Sequence, residues 1–438
     1  MPARRIVVNK RYYDVVILGD SLASQIAGAL LVKGGCRVLT FRPPESRPAP
    51  LTLSPIPVSR PVEKLLDLLG GRNCVAQMPP YHVVTRESRF EIAGGNPLDD
   101  ELSREFGADA LLAAAQLKKL QHIGEKLELL ILKNGGLPVS GAGNRLRFSR
   151  DTLLGGLLKG TGQSLERFFA PLPPSSRNAL TVLFAGLTLT PGDRLSVAEA
   201  ALLWTGILRG KAVATPDFVK LLSQRYEQFH GGDETLSTIR DVEYDKHKLT
   251  DLQLKKGRQC SGAWYLLGSP NGIRPIEKAL ASQNATPERT TYQLLTSTLD
   301  GPLSPMLCPV NLPESPFPVR FSLAHSHGSQ IGVLDLRTGN DAAGTLPEHA
   351  ELKRILDPLL PFGEYTFEPP LEEPNLPLRH HRGTRLFPNI RGDWRLLSNL
   401  LACHGASTAP VLGSTGEILT GMTLANALLK NLKKAPLF

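Results

Sequence analysis

No hydrophobic run in the sequence approaches the ~20 apolar residues that a membrane-spanning helix requires, so no segment is read as crossing a bilayer. Cysteine is scarce. Cys36, Cys74, Cys260, Cys308 and Cys403 stand far apart with no Cys-x-x-Cys pair, which argues against a disulfide framework or structural zinc and for a reducing compartment. The first 18 residues carry basic side chains, but their apolar run is too short for a secretory signal and no cleavage site follows, so a cytoplasmic location is expected. There is no internal repeat. His325 with His327, and His380 with His381, have no acidic or cysteine companion at ligand spacing, so they are read as loop or surface histidines and no metal is expected.

What is present is a chain of 438 residues with 41% apolar and 21% charged residues, ordinary values for a globular protein and enough for two cores. The 36 prolines cluster at 43–62, 171–174, 302–318 and 358–377, where they mark loops and strand edges. A net charge of +9 favours anionic partners. The basic residues are scattered in short groups such as Lys118-Lys119, Lys255-Lys256-Gly257-Arg258 and Lys433-Lys434, so no nucleic-acid module is expected. An acidic membrane surface is the expected peripheral partner.

The order of elements is most legible at the start. From Asp14 to Phe41 the chain reads as an apolar strand, a turn at Gly19, a helix, a Gly34-Gly35 stop and a second apolar strand. That is the order of a Rossmann βαβ unit. The phosphate-binding glycines are mostly absent. Ser21 and Ser24 stand at the second and third glycine positions, and Phe41 stands near the place of the acid that would bind ribose hydroxyls. A helix is expected over Val62–Leu69, strands around Tyr81 and Arg89, and helices over 99–134 and 149–209. The apolar helices of that last stretch either form a domain core, the default reading, or line an apolar pocket. Further on come a helix from Phe218, a Gly231-Gly232 turn and three strands ending at Trp264–Leu267. Proline-rich strands follow, and Asn399 opens a closing strand, glycine turn and helix.

Three segments together resemble the flavin-dependent superfamily of phytoene desaturases, amine oxidases and Rab GDP dissociation inhibitors. Tyr13–Phe41 resembles its dinucleotide-binding unit, most closely that of the GDP dissociation inhibitors. The segment from Phe218 to Leu267 is similar to its helix, Gly-Gly turn and strand series, and 399–427 to its closing motif, with Pro410, Gly413, Gly416, Glu417, Thr420 and Gly421 matching. The sequence departs from the family at Phe41, at Arg42-Pro43-Pro44, at Lys211-Ala212-Val213-Ala214, and at Cys403-His404-Gly405, where an acid is usual.

The resemblance implies an α/β fold with a discontinuous FAD-binding domain (1–60, 215–290, 386–438) and an inserted substrate domain of helices and antiparallel strands (61–214, 291–385). It implies an FAD-dependent oxidoreductase acting on a hydrophobic substrate. Gly19, Ser21 and Ser24 would meet the pyrophosphate, Val242 the adenine through its backbone, and Gly413, Gly416 and Glu417 the flavin ring. No acid or base is nominated. The alternative is a cofactor-free binding protein on the same fold, as in the GDP dissociation inhibitors, with a protein or lipid partner in the apolar region. A third reading takes Gly19-Asp20-Ser21-Leu22 as the nucleophile block of a GDSL hydrolase, although no Asp-x-x-His follows late in the chain.

Overall fold

The computed structural model describes residues 10–43, 55–85, 87–92, 97–137, 162–188, 192–268, 395–404 and 409–437, the single positions 150, 350 and 353, and the backbone of eight strands between 289 and 391. His327, His380 and His381 lie outside the described residues, and His325 is described only as strand backbone.

The first βαβ unit forms as its pattern dictates. Strand β1 (Lys10–Leu18) runs into the turn at Gly19, whose φ of +109° is one that glycine adopts without strain. Helix α1 (Leu22–Lys33) follows with Ser21 as its N-cap, and it ends at Gly34 and Gly35 before β2 (Val38–Arg42). Beyond it in the chain are α2 (Arg60–Leu69), α3 (Leu98–Phe106), α4 (Ala110–Lys133), α5 (Leu165–Phe169), α6 (Pro174–Thr188), α7 (Val197–Leu208) and α8 (Thr215–Gln228). Strands β3 (Gly232–Thr235), β4 (Ile239–Asp245), β5 (Lys248–Leu254), β6 (Gln259–Leu267) and β7 (Leu400–Ala402) complete this sheet, and α9 (Gly413–Asn431) closes the chain.

Five strands are parallel, in the order β3-β2-β1-β6-β7. The β4–β5 hairpin joins antiparallel at the start of β6. The segment after Gly232 therefore holds four strands where three were expected. The extra one, β3, is a four-residue strand whose alternation of half-buried and exposed positions carries too little apolar signal to be read. A second, mostly antiparallel sheet joins Tyr81–Val84 and Arg89–Ile92 to the strands between 289 and 374. This is the mixed α/β architecture with a parallel nucleotide-type sheet that the sequence implies.

Each sheet has its own core. One gathers β1, β2, α1, α8, α9 and the β4–β6 strands, and it also takes in α2, which lies past the boundary expected at residue 60. The other is built on α4, α5, α6 and α7. There Phe169, Phe184 and Trp204 are wholly buried, with ring centroids 6.0 and 5.8 Å apart in sequence. The described apolar side chains of these helices thus pack on one another as a core.

Two close helix contacts set the frame. Helices α1 and α9 touch at Gly421, where a Cβ would lie 2.6 Å from the Ala23 carbonyl oxygen. Helices α4 and α7 touch at Gly124, and one turn later Glu128 ties both cores together. Its carboxylate, 1% exposed, accepts from Thr205 at 3.2 Å, from Arg209 at 3.0 Å and from the Arg60 backbone N–H at 3.3 Å. Burial pushes the Glu128 carboxyl above its ordinary value of 4.5, against the pull of Arg209 and the donors. The folded chain therefore binds this proton at a higher pH than the unfolded chain, and stability from this group rises as pH falls through the interval from its folded value down to 4.5. Subtracting the pH profile of Glu128→Gln unfolding from that of wild type should expose this slope, positive toward acid. A flat difference would refute it.

Candidate functional site

In an open parallel sheet, ligands bind at the carboxyl ends of the strands where the chain order reverses. Here that point lies beyond β1, between β2 on one side and β6 on the other, at the N-terminus of α1. The described structure brings Gly19, Ser21, Ser24 and Glu417 together there, drawn from two ends of the chain.

Two N–H groups of the first turn of α1 are engaged within the protein. Ala23 N donates to Glu417 Oε2 at 2.8 Å, and Ser24 N donates to Ser21 Oγ at 3.2 Å. The Ser21 hydroxyl donates to the Cys403 carbonyl at 2.6 Å, and the Ser24 hydroxyl to the Ser21 carbonyl at 2.8 Å. His404 Nδ1 lies 3.6 Å from Glu417 Oε1. Glu417 is 4% exposed, so its negative charge sits within the protein against the positive end of the helix. The Cys403 thiol beside it is fully buried, and burial, followed by the charge of Glu417, holds it well above its usual value. A thiol so placed is not a nucleophile.

Backbone fills the rest of the cradle. Gly268, just past β6, donates its N–H to the Leu18 carbonyl, and a Cβ on it would lie 2.6 Å from Ser24 Cβ and 3.2 Å from Ser21 Oγ. On the opposite side, Phe41 is wholly buried in β2, in register with Leu18 and Glu234. The Tyr226 hydroxyl bridges Thr40 and the Gly232 carbonyl, and burial pushes it up. Arg42 stacks over the Tyr226 ring and pairs with Asp233 at 2.9 Å. The cleft left between α1, the end of β2 and α8 has a volume of about 10 Å³, room for one water. A larger cleft of about 330 Å³ lies between the end of α2 and α8, lined by Cys74, Asp217, Lys220, Gln224 and Arg225.

Val242, Gly413 and Gly416, the other expected ligand contacts, lie on β4 and in the first turn of α9. Val242 lies in β4, three strands from β1, opposite Leu252, and its N–H donates to the Asp241 carboxylate at 2.8 Å. Gly413 takes φ +52° at the start of α9, and Gly416 packs against the Ala409 carbonyl oxygen, 2.5 Å from its virtual Cβ. Ser21 has the geometry of a helix cap, its hydroxyl turned to a carbonyl rather than to an imidazole, which leaves the hydrolase reading without a base. Among the described residues, no group of three metal-binding side chains occurs, and no helix is long and apolar enough to cross a membrane.

No protein-family model matches the chain, and no curated protein matches its sequence. Solved structures do resemble it in fold. An oxidoreductase from Methanosarcina mazei superposes with a TM-score of 0.57 at 12% identity, over 94% of this chain and 99% of its own. A Rab GDI from Plasmodium falciparum gives 0.56 at 10% identity, over 94% and 98%. Cyclohexylamine oxidase from Brevibacterium oxydans gives 0.54 at 12% identity, over 96% and 99%. The chain therefore has the fold that these oxidoreductases and a GDI share. At such identities the fold is common property, and the residues at α1 must decide what occupies it.

Those residues do not fit FAD. A pyrophosphate at this helix N-terminus would displace or face the Glu417 carboxylate, negative against negative in a buried setting. At the end of β2, where an acid would hold ribose hydroxyls, Phe41 is a wholly buried apolar side chain and offers no acceptor.

Proposed function

We propose that this chain is a cofactor-free binding protein that uses the flavoprotein fold as a scaffold. The observation that carries the reading is the 2.8 Å hydrogen bond from Ala23 N to Glu417 Oε2, which puts a side chain of the protein where a dinucleotide would put its pyrophosphate. The tight seat of Gly268 on Ser21 and Ser24 supports it, as does the burial of Phe41. The likeness to a GDI is compatible with it, since that name belongs to a binding protein rather than an oxidoreductase. The partner is a protein or a lipid, and it engages the surface, because the apolar helices α5 to α7 bury their described side chains against one another.

The test is the visible spectrum of protein purified with FAD present throughout, followed by titration of FAD into the colourless product. We expect no bound chromophore and no saturable uptake at micromolar FAD. One equivalent of FAD, released by heat, would overturn the reading and restore an oxidoreductase of the amine oxidase and phytoene desaturase type.

A further inference from the structure

Helix α4 spans Ala110–Lys133, about 36 Å at 1.5 Å per residue. Its buried residues, among them Ala113, Leu117, Leu120, Gly124, Leu127 and Ile131, face the second core. The opposite face is unusual in two respects. It exposes three leucines, with Leu111 at 82%, Leu112 at 53% and Leu129 at 52% exposure. Between them it exposes Lys118, Lys119 and Lys126, and none of the exposed residues of α4 is acidic.

At 100° per residue these six side chains fall within a strip about 120° wide. Leu111 and Leu129 lie on the same line along the helix, separated by about 27 Å, with the lysine cluster between them. Nearly all the large apolar side chains that the fold leaves to water are on this one face, since Tyr12 is the remaining one among the described residues. An exposed helix face with leucines at both ends and lysines between matches a flat partner whose charge is negative and whose interior is apolar.

We propose that this face of α4 docks on an anionic lipid bilayer, the leucines entering the acyl boundary and the lysine stems reaching back to headgroup phosphates. Charge complementarity selects a lipid surface of net negative charge. The span of the leucines favours a plane, because a groove in a protein would have to follow about five turns of the helix to meet both ends. The net charge of +9 over the whole chain adds long-range attraction to the same surface. The inference is independent of the state of the crevice at α1, since no residue of α4 named here contributes to it.

Co-sedimentation of the full chain with vesicles tests the assignment. Wild type should pellet with phosphatidylcholine vesicles containing about a third phosphatidylglycerol, and not with phosphatidylcholine alone, with binding that weakens as salt rises. Lys118→Glu with Lys126→Glu should lower the partition coefficient at least tenfold. Leu111→Ser with Leu129→Ser should lower it severalfold while leaving net charge unchanged. Lys220→Glu with Lys255→Glu, an equal charge change at exposed sites outside α4, should alter it less than twofold. The proposal fails if wild type does not pellet with anionic vesicles, if the α4 variants bind as wild type does, or if the outside pair loses as much as the α4 pair. Circular dichroism of each variant excludes misfolding as the cause, and the spectrum of added FAD, read separately, reports on the crevice alone.

Discussion

Replacing Glu417 with alanine is expected to lower the unfolding free energy by about 3 kcal/mol. The Ala23 N–H loses a charged acceptor inside the protein, and the positive end of α1 loses its counter-charge. Ser21 continues to cap Ser24, so the helix start is weakened rather than abolished. Glu417→Gln keeps an oxygen in reach of Ala23 and should cost about half as much, since a neutral acceptor forms the weaker bond. Urea unfolding of the three proteins, monitored at Trp264 in β6 and Trp204 in α7, measures the series. Losses below about 1 kcal/mol for alanine would mean that water replaces the carboxylate without penalty and that the crevice is open to solvent.

A comparable loss is expected from Gly124→Leu, about 3 kcal/mol, by a different route. A Cβ at this position would overlap the Ala201 carbonyl oxygen and lie 2.6 Å from Thr205 Cγ2. The obstacle on the first count is backbone, which cannot rotate away as a side chain can. Helices α4 and α7 must separate, and the hydrogen bonds of Glu128 to Thr205 and Arg209, one turn further along, are strained with them. An exposed helical glycine would gain up to about 1 kcal/mol on replacement by a residue of higher propensity, so the sign of the change is itself diagnostic. Unfolding midpoints together with the near-ultraviolet dichroism of Trp204, buried on α7, read the separation. An unchanged midpoint would show that the two helices are not in contact at Gly124.

The sequence made the first βαβ unit legible because its period switches cleanly, from a buried strand to a helix capped by Ser21 and back to a strand. It made the closing helix legible through its glycines, and the reason for one of them is now physical: Gly421 lets α9 lie against the backbone of Ala23. What it left hidden are meetings across the chain. Glu417 was matched by spacing to a position near a flavin ring, and nothing local says that its carboxylate reaches Ala23, 394 residues earlier. A signal did exist. Glu417 is the one ionisable residue among the buried positions of α9, and a buried carboxylate requires a donor somewhere. Phe41 was likewise read as a missing acid, whereas in the fold it is a core residue of β2 whose carbonyl receives the Gly19 N–H. Strand β3 escaped because its partner β2 lies about 190 residues away and supplies most of the reason for it to be extended.

The contact between Glu417 and Ala23 has a consequence at the level of the cell. A protein completed by a dissociable group gains stability with the logarithm of that group's free concentration, so its folded population rises and falls with supply. Glu417 is synthesised with the helix it caps, in a fixed ratio of one to one, and it cannot be diluted, competed away or exhausted by starvation. On the cofactor-free reading proposed above, the amount of this protein that stands folded would be set by its own synthesis and degradation rather than by the supply of a dissociable group.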